Sequence, residues 1–224
     1  SNDKKELLAR MNISDHFIMY VGGTGLNKNL DRLLSAFSKL PKSILNSYEL
    51  VMVGRDLKHE KSNYQKQLED LSIEDKVIFT GQVDDDDLVK LYNLCDLFVF
   101  PSIHEGFGLP PLEAMACGAA VITSNKSSLP EIAGYEDILF NPFDDNDIAE
   151  KIMKILTDSE FRNEIKIRGI KQACMFSWSD SAERLLKIFE KYVKHGGKDA
   201  ASSNRCDHIN AIINQVALMS SGLS

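Results

Sequence analysis

Glu105 and Glu113 stand on either side of Gly106-Phe107-Gly108-Leu109-Pro110-Pro111, just after the strand-like run Leu97-Phe98-Val99-Phe100-Pro101. Such a stretch reads as a strand that ends in a glycine hinge and turns into a helix, with proline in the first turn, where a missing N–H costs nothing. Glu105 then lies on the loop, and Glu113 sits about one helical turn, roughly 6 Å, past Leu109, its Cβ bond tilted back towards the helix start. Both carboxylates can therefore face one ligand. An ionised carboxylate only accepts hydrogen bonds and would repel a phosphate beside it, so the partners that suit the pair are hydroxyls, as on a sugar ring or a ribose. Gly106 and Gly108 remove side chains from the approach, and the helix start offers unpaired N–H groups and the positive end of its dipole. Either glutamate taken singly is more ordinarily a surface carboxylate or a helix-end partner; it is the two together, astride a glycine loop, that point to a ligand.

A second loop carries related features. Gly23-Thr24-Gly25 follows the apolar run Phe17-Ile18-Met19-Tyr20-Val21 and precedes a helix that the periodicity places from about Lys28 to Leu40. Backbone N–H groups in such a turn can cradle a phosphate, with Lys28 as a point charge at the helix start. A plain tight turn and a solvated lysine fit these residues equally well. The third glycine of G-x-G-x-x-G is missing, because Lys28 occupies its place, and no Walker run is present. Arg55 is open between a phosphate partner and a solvated side chain, and His104 between a local loop residue and a polar contact near a reacting centre. Ser127 and Ser128 read as caps of a short helix opening at Leu129-Pro130, and Asp84 to Asp87 as the cap and first turn of another. There is no G-x-S-x-G nucleophile elbow, no metal-ligand cluster and no Cys/His pair with a visible role.

The elements that must position these loops alternate regularly. Strands are expected at 16–21, 49–53, 77–80, 97–101 and 120–123, with a short apolar run at Ile138-Leu139-Phe140. Helices are expected at about 28–40, 62–71, 88–94, 144–156, 159–174 and 179–193. This rhythm implies an α/β fold with a doubly wound parallel sheet, whose ligands bind outside the carboxyl ends of the strands. Every loop singled out above follows a strand. Residues 3–195 form the expected domain, led in by a polar helix and turn over 3–15. Ser1-Asn2 resembles a remnant of tag removal, and 196–224 has linker composition, with Ile209 to Met219 able to form a short apolar helix of no assigned role.

Composition narrows the partners. The 224 residues, 43% hydrophobic, suffice to bury a full core. A net charge of -7 and a pI near 5.3 argue against nucleic acid, which needs a basic face, so any bound phosphate must be met locally. Cys95, Cys117, Cys174 and Cys206 show no paired spacing and read as reduced thiols, which favours the cytoplasm. No run of about 18 apolar residues and no signal-peptide pattern is present.

Glu-Gly-Phe-Gly-Leu-Pro-Pro-Leu-Glu-Ala-Met-Ala-Cys-Gly, with its Glu105-x7-Glu113 spacing, resembles the signature of the family 4, or group 1, retaining glycosyltransferases, and the resemblance extends from about Phe17 to Val193. Tyr20-Val21-Gly22-Gly23 with Lys28-Asn29-Leu30, and Ser124-Asn125 with Ser127-Ser128-Leu129-Pro130-Glu131, look like the branch of mannosyl and related hexosyl transferases of surface-polysaccharide synthesis. The family has the GT-B architecture, two Rossmann-like domains around a cleft, and this chain looks like the second, donor-binding domain alone. The resemblance implies that Glu113 holds ribose hydroxyls and that Glu105 contacts hydroxyls of the donor sugar. The backbone from Gly106 through Phe107 and Gly108 to Leu109 would meet sugar or diphosphate. Lys28 would meet the diphosphate beside Gly23, Thr24 and Arg55, and Gln82-Val83 the edge of the base, with Glu105 and Lys28 as the candidate catalytic residues. The implied substrate is a nucleoside-diphosphate sugar, GDP-mannose or a UDP-hexose, with no cofactor and no metal. The implied partners are an N-terminal GT-B domain and a glycan or lipid-linked acceptor, with membrane association only through that other domain. One departure from the family stands out: many relatives carry arginine where this chain has Gly23, and the nearer branch often has a basic residue where Asn27 stands.

Three other readings remain at this level. A GT-B epimerase or phosphorylase shares the architecture, but the Glu-x7-Glu spacing with Gly-Phe-Gly argues against it. A dinucleotide-binding Rossmann domain lacks its third glycine here, with Asp56 the nearest candidate for the ribose acid. A non-catalytic interaction module would leave both glutamates replaceable without loss of a ligand.

Overall fold

A computed structural model of the chain describes residues 2–55 and 57–196. Asp56, Cys206 and the 197–224 segment, with its proposed short helix, lie outside the described residues. In chain order the elements are α1 (Asn2–Met11), β1 (Phe17–Val21), α2 (Leu30–Ser38), α3 (Lys42–Ser47), β2 (Glu49–Val53), α4 (Leu57–Leu71), β3 (Val77–Gly81), α5 (Asp85–Leu94), β4 (Leu97–Phe100), α6 (Leu109–Ala116), β5 (Val121–Ser124), α7 (Leu129–Ala133), β6 (Leu139–Phe140), α8 (Asp145–Thr157), α9 (Ser159–Ala173) and α10 (Trp178–Gly196). The chain divides into two compact units after Ala173, and α10 belongs to the second.

The first unit has the expected doubly wound α/β fold. Its strands form one six-stranded sheet in the order β3-β2-β1-β4-β5-β6, every pairing parallel. Central strands read as continuous apolar runs because helices cover both faces; β1, β2 and β4 are buried almost throughout, whereas the edge strand β3 alternates. β1 and β4 are neighbours in the sheet although two strands separate them in sequence, so the winding direction reverses between them. At that switch point no crossover connection covers the carboxyl ends, and a crevice results. α3, between Pro41 and β2, was not legible from periodicity: six residues with none buried leave no amphipathic stripe.

The helices are fastened by a few polar contacts. Asp84 caps α5 as expected, accepting from the Asp87 N–H (2.8 Å), while Asp87 is buried and pairs with Arg10 of α1 and, at 3.3 Å, with Lys90. Asp145 at the start of α8 accepts from Arg32 (3.0 Å) and Ser35 (2.6 Å) of α2, and Lys39 lies 3.8 Å away. Burial by itself would raise the Asp145 pKa, but the bonds from Ser35 and Arg32 and the Lys39 charge outweigh it and hold the carboxyl below its ordinary 3.8.

A depressed folded-state pKa contributes stability that is present above the unfolded value and is lost as pH falls through the folded one. Asp145→Asn is expected to lower stability at pH 7 by about 1 kcal/mol, because solvent screens part of the interaction. In urea melts, the gap from the native chain should close progressively as pH drops below about 4.

Candidate functional site

The loops leaving β1 and β4 are tied together by two asparagines. Asn29 takes a left-handed conformation (φ 60°) between a 3-10 turn, Leu26–Lys28, and α2, a conformation asparagine tolerates better than most residues. Its buried amide donates to the carbonyls of Pro101 (3.1 Å) and Pro142 (2.8 Å), so one side chain joins the loops after β1, β4 and β6. Asn27 accepts from the Ile103 N–H (2.8 Å) and donates to the His104 carbonyl (3.1 Å). The helix expected from about Lys28 to Leu40 therefore starts only at Leu30, after a 3-10 turn and the left-handed Asn29, and ends at Ser38. Apolar spacing reads straight through Asn29; carbonyls delivered from far along the chain decide its conformation.

The 3-10 turn presents Lys28 to the second loop. Its Nζ lies 2.6 Å from Glu105 Oε1 and 5.6 Å from the centre of the Phe100 ring. With side chains 21% and 15% exposed, this is a largely sheltered, charge-assisted contact at the switch point. An anion that reaches Lys28 must compete with Glu105.

Beyond Glu105 the loop rests on the loop after β5. The Glu105 N–H donates to Ser127 Oγ (2.9 Å), and the Ser128 hydroxyl donates to the Phe107 carbonyl (2.7 Å), with the Glu105 carbonyl 3.1 Å away. The expectation that these serines cap α7 is corrected: α7 has no side-chain cap, Ser127 is left-handed (φ 51°) and Ser128 is helical rather than extended, so neither hydroxyl is placed to reach the helix N–H groups. Gly108 precedes α6 with φ 112°, a backbone conformation that favours glycine, and a Cβ there would press on Leu129 Cδ2 at 2.9 Å. Pro110 and the buried Pro111 occupy the first turn of α6, as the sequence predicts, while Phe107 and Leu109 are substantially exposed.

Glu113 projects from α6 with its Oε2 accepting from the Tyr92 hydroxyl (3.1 Å). Tyr92 is 1% exposed; burial first, and then the Glu113 charge and hydrogen bond, push its pKa up, so the phenol stays protonated and serves as donor. The nearby Cys117 thiol is also raised, by burial and then Glu113. Tyr92 is one end of an aromatic row: it meets Phe98 edge-on (5.5 Å, 67°), Phe98 stacks with Phe100 (6.1 Å) and Phe100 with Tyr20 (6.1 Å). At the other end the Tyr20 hydroxyl donates to the Gly23 carbonyl (2.9 Å), and burial, followed by the Glu105 charge, raises its pKa as well.

A cleft of about 370 Å³ opens at the carboxyl ends of β1 to β3, bounded by Gly22, Gly23, Gly54, Arg55, Gln82 and Val83. Arg55, one of the residues left open in the sequence, donates Nε to Gln82 Oε1 (3.1 Å), joining the loops after β2 and β3. The structure thus gathers the sequence-predicted residues in three places. Gly23, Arg55, Gln82 and Val83 line this cleft, with Thr24 next in the chain. Lys28 and Glu105 form the ion pair, and the Gly106-to-Leu109 stretch leads from Glu105 into the helix that carries Glu113. Sequence reading missed Asn29, Asn27, Tyr92 and Tyr20 as parts of the site. Asn29 had a signal, an asparagine just ahead of an amphipathic run; Tyr92 had none, since its spacing on α5 is that of an ordinary core residue. Among the described residues no three metal-ligating side chains come together, and no helix is long and apolar enough to cross a membrane.

Known proteins resemble this chain along most of its length. The family model for glycosyl transferases, group 1, matches residues 3–172. The serotype-specific mannosyltransferase WbdA of Escherichia coli is 40% identical over 191 residues, which are 85% of this chain and 23% of that protein. Among solved structures, a sucrose-phosphate synthase from Thermosynechococcus elongatus aligns with TM-score 0.72 and 26% identity over 85% of this chain and 49% of its own. The C-terminal domain of a glycosyl transferase group 1 protein from Francisella tularensis aligns with TM-score 0.66 and 26% identity over 78% of this chain and 93% of its own. The chain thus spans about a quarter of the mannosyltransferase and about half of the synthase.

The glycines of the cleft predict opposite outcomes. A Cβ on Gly54 would overlap the Gly22 carbonyl oxygen, whereas one on Gly23 meets nothing within 4 Å. Gly54→Ala should therefore cost about 1–3 kcal/mol, and Gly23→Ala should stay within roughly 0.5 kcal/mol of the native chain, read by chemical denaturation.

Proposed function

This chain belongs to the group 1 glycosyl transferases, and from that premise we propose that it is the donor-binding domain of a retaining hexosyltransferase. Its donor is a nucleoside-diphosphate hexose, GDP-mannose in the first instance and a UDP-hexose in the second, and its acceptor a surface glycan or lipid-linked glycan. The observation that carries the reading is the Lys28–Glu105 pair, 2.6 Å long, at the switch point beside a cleft of about 370 Å³. A cation and an acceptor-only carboxylate in contact match a ligand that is anionic on one side and hydroxylated on the other, which describes a sugar diphosphate. The mannosyltransferase relatives support the choice of sugar, and the match to about half of the synthase but to nearly all of an isolated C-terminal group 1 domain supports its being one half of a cleft.

In this reading the base lies in the cleft against Gln82 and Val83, and Glu113 takes the ribose hydroxyls. Lys28, the backbone from Gly106 to Leu109 and the start of α6 meet the diphosphate, with Gly23, Thr24 and Arg55 alongside. Glu105 takes hydroxyls of the hexose. As the glycosidic bond breaks, positive charge develops on the sugar ring and negative charge on the departing diphosphate. Lys28 and the N–H groups at the start of α6 stabilise the latter without a metal. The acceptor approaches from a partner domain on the same face as the leaving group, working in the cytoplasm, so this chain alone binds donor without transferring sugar.

Calorimetric titration with UDP, GDP, UDP-glucose and GDP-mannose tests the proposal. Saturable binding of one base series is expected, lost in Lys28→Ala and weakened in Glu113→Ala; binding unaffected by either substitution would overturn the assignment, as would hexose transfer by this chain on its own. Glu105→Gln should act in two directions, tightening nucleoside diphosphate several-fold by freeing Lys28 while removing the added affinity for the nucleotide sugar. A Cβ at Gly23 meets nothing within 4 Å, so a side chain can start there, and the group 1 resemblance implies arginine at this position. Gly23→Arg is expected to tighten GDP binding about tenfold through a charge-assisted bond to the diphosphate, measured in the same titration.

A further inference from the structure

Glu113 stands on the exposed side of a helix, where a glutamate ordinarily samples several rotamers that a ligand must freeze when it binds. Here one of its oxygens is already held, by a hydroxyl that is itself fixed. Tyr92 is almost fully buried, packs edge-on against Phe98, and is carried by α5, whose first turn is closed by Asp84 and whose Asp87 is paired with Arg10. A phenylalanine would fill the same space, so the hydroxyl adds no packing, and burying it without a partner would be unfavourable. The Glu113 carboxylate, 3.1 Å away, is that partner.

We propose that Tyr92 is a positioning residue for the nucleotide ribose: its hydroxyl holds one oxygen of Glu113 from beneath, so that the remaining acceptor sites of the carboxylate are set for the ribose hydroxyls before the donor arrives. The inference rests on the reading of Glu113 as the ribose ligand. A carboxylate offers about four lone-pair sites, and one bond from Tyr92 leaves enough for two hydroxyls. Burial and the neighbouring negative charge keep the phenol protonated, so the bond persists across the working pH range. Tyr92 need not touch the donor; it acts through Glu113.

The test is a comparison of ribose with a sugar that lacks the hydroxyls. The chain, Tyr92→Phe, Glu113→Ala and the double variant are titrated with GDP and 2′,3′-dideoxy-GDP, and with the corresponding UDP pair. Tyr92→Phe is expected to weaken the ribonucleotide about three- to tenfold and to leave the dideoxynucleotide unchanged, while adding no further loss in the Glu113→Ala background. A merely structural tyrosine would weaken both nucleotides equally, and that outcome overturns the proposal, as does an unchanged preference for ribose in Tyr92→Phe. A native chain that binds ribose and dideoxyribose nucleotides alike would overturn the ribose reading of Glu113 itself, which separates the two failures. If Tyr92→Phe melts early, Glu113→Asp shortens the reach to Tyr92 from the surface side; the ribose preference should fall there too, and its retention would count against the proposal.

Discussion

The parallel pairing of β1 with β4 at the centre of the sheet is the constraint from which the rest of the site follows. Because the chain winds away from this pair in opposite directions, no crossover element covers their carboxyl ends, and the loops that leave them border a crevice. Loops in that position have no sheet or helix ladder to satisfy their backbone, yet they must keep one conformation. The molecule meets this requirement with short polar side chains: Asn29 to the Pro101 and Pro142 carbonyls, Asn27 to His104, Ser127 and Ser128 to Glu105 and Phe107, and Ser124 to the Ser102 carbonyl (2.5 Å). Each bond contributes only about 1 kcal/mol, but an unpaired buried carbonyl would cost more, so the set favours one loop arrangement over its alternatives.

Beneath these loops lies the aromatic row from Tyr20 through Phe100 and Phe98 to Tyr92. Phe98 and Phe100 project to the same face of β4, as the two-residue repeat of a strand requires, and so can bridge from β1 to α5. Each part of the row meets a different part of the site: the Tyr20 hydroxyl the Gly23 carbonyl, the Phe100 ring the Lys28 ammonium, and the Tyr92 hydroxyl Glu113. Packed rings move little, so the row couples the three positions to one rigid support. In a chain of net charge -7, any attraction for an anion has to be local, and this support keeps the Lys28 cation in place.

Much of the candidate site was legible because its residues lie in contiguous stretches of the chain. The glycine hinge, the prolines in the first turn of α6 and the spacing of Glu105 and Glu113 all express local backbone rules, and each element they implied is present. Where long-range contacts compete with local ones, reading failed. Ser127 and Ser128 have the residue type of helix caps, but their hydroxyls are used by a loop more than twenty residues earlier in the chain. The apolar spacing from about Lys28 is that of one helix, but the left-handed Asn29, bonded to two distant carbonyls, delays its start to Leu30.

Sequence alone therefore determined the alternation of strands and helices, the parallel sheet, the loops that carry the site and the identity of its charged groups, since periodicity, glycine, proline and charge act over a few residues. Only the tertiary structure decided which of those groups meet. That Lys28 closes on Glu105, that Arg55 joins Gln82 beside Gly23, and that a core tyrosine of α5 reaches Glu113 all depend on strand order. Order in a sheet is set by how the apolar faces of all its helices and strands can be buried together, a condition on the whole chain that no local stretch contains.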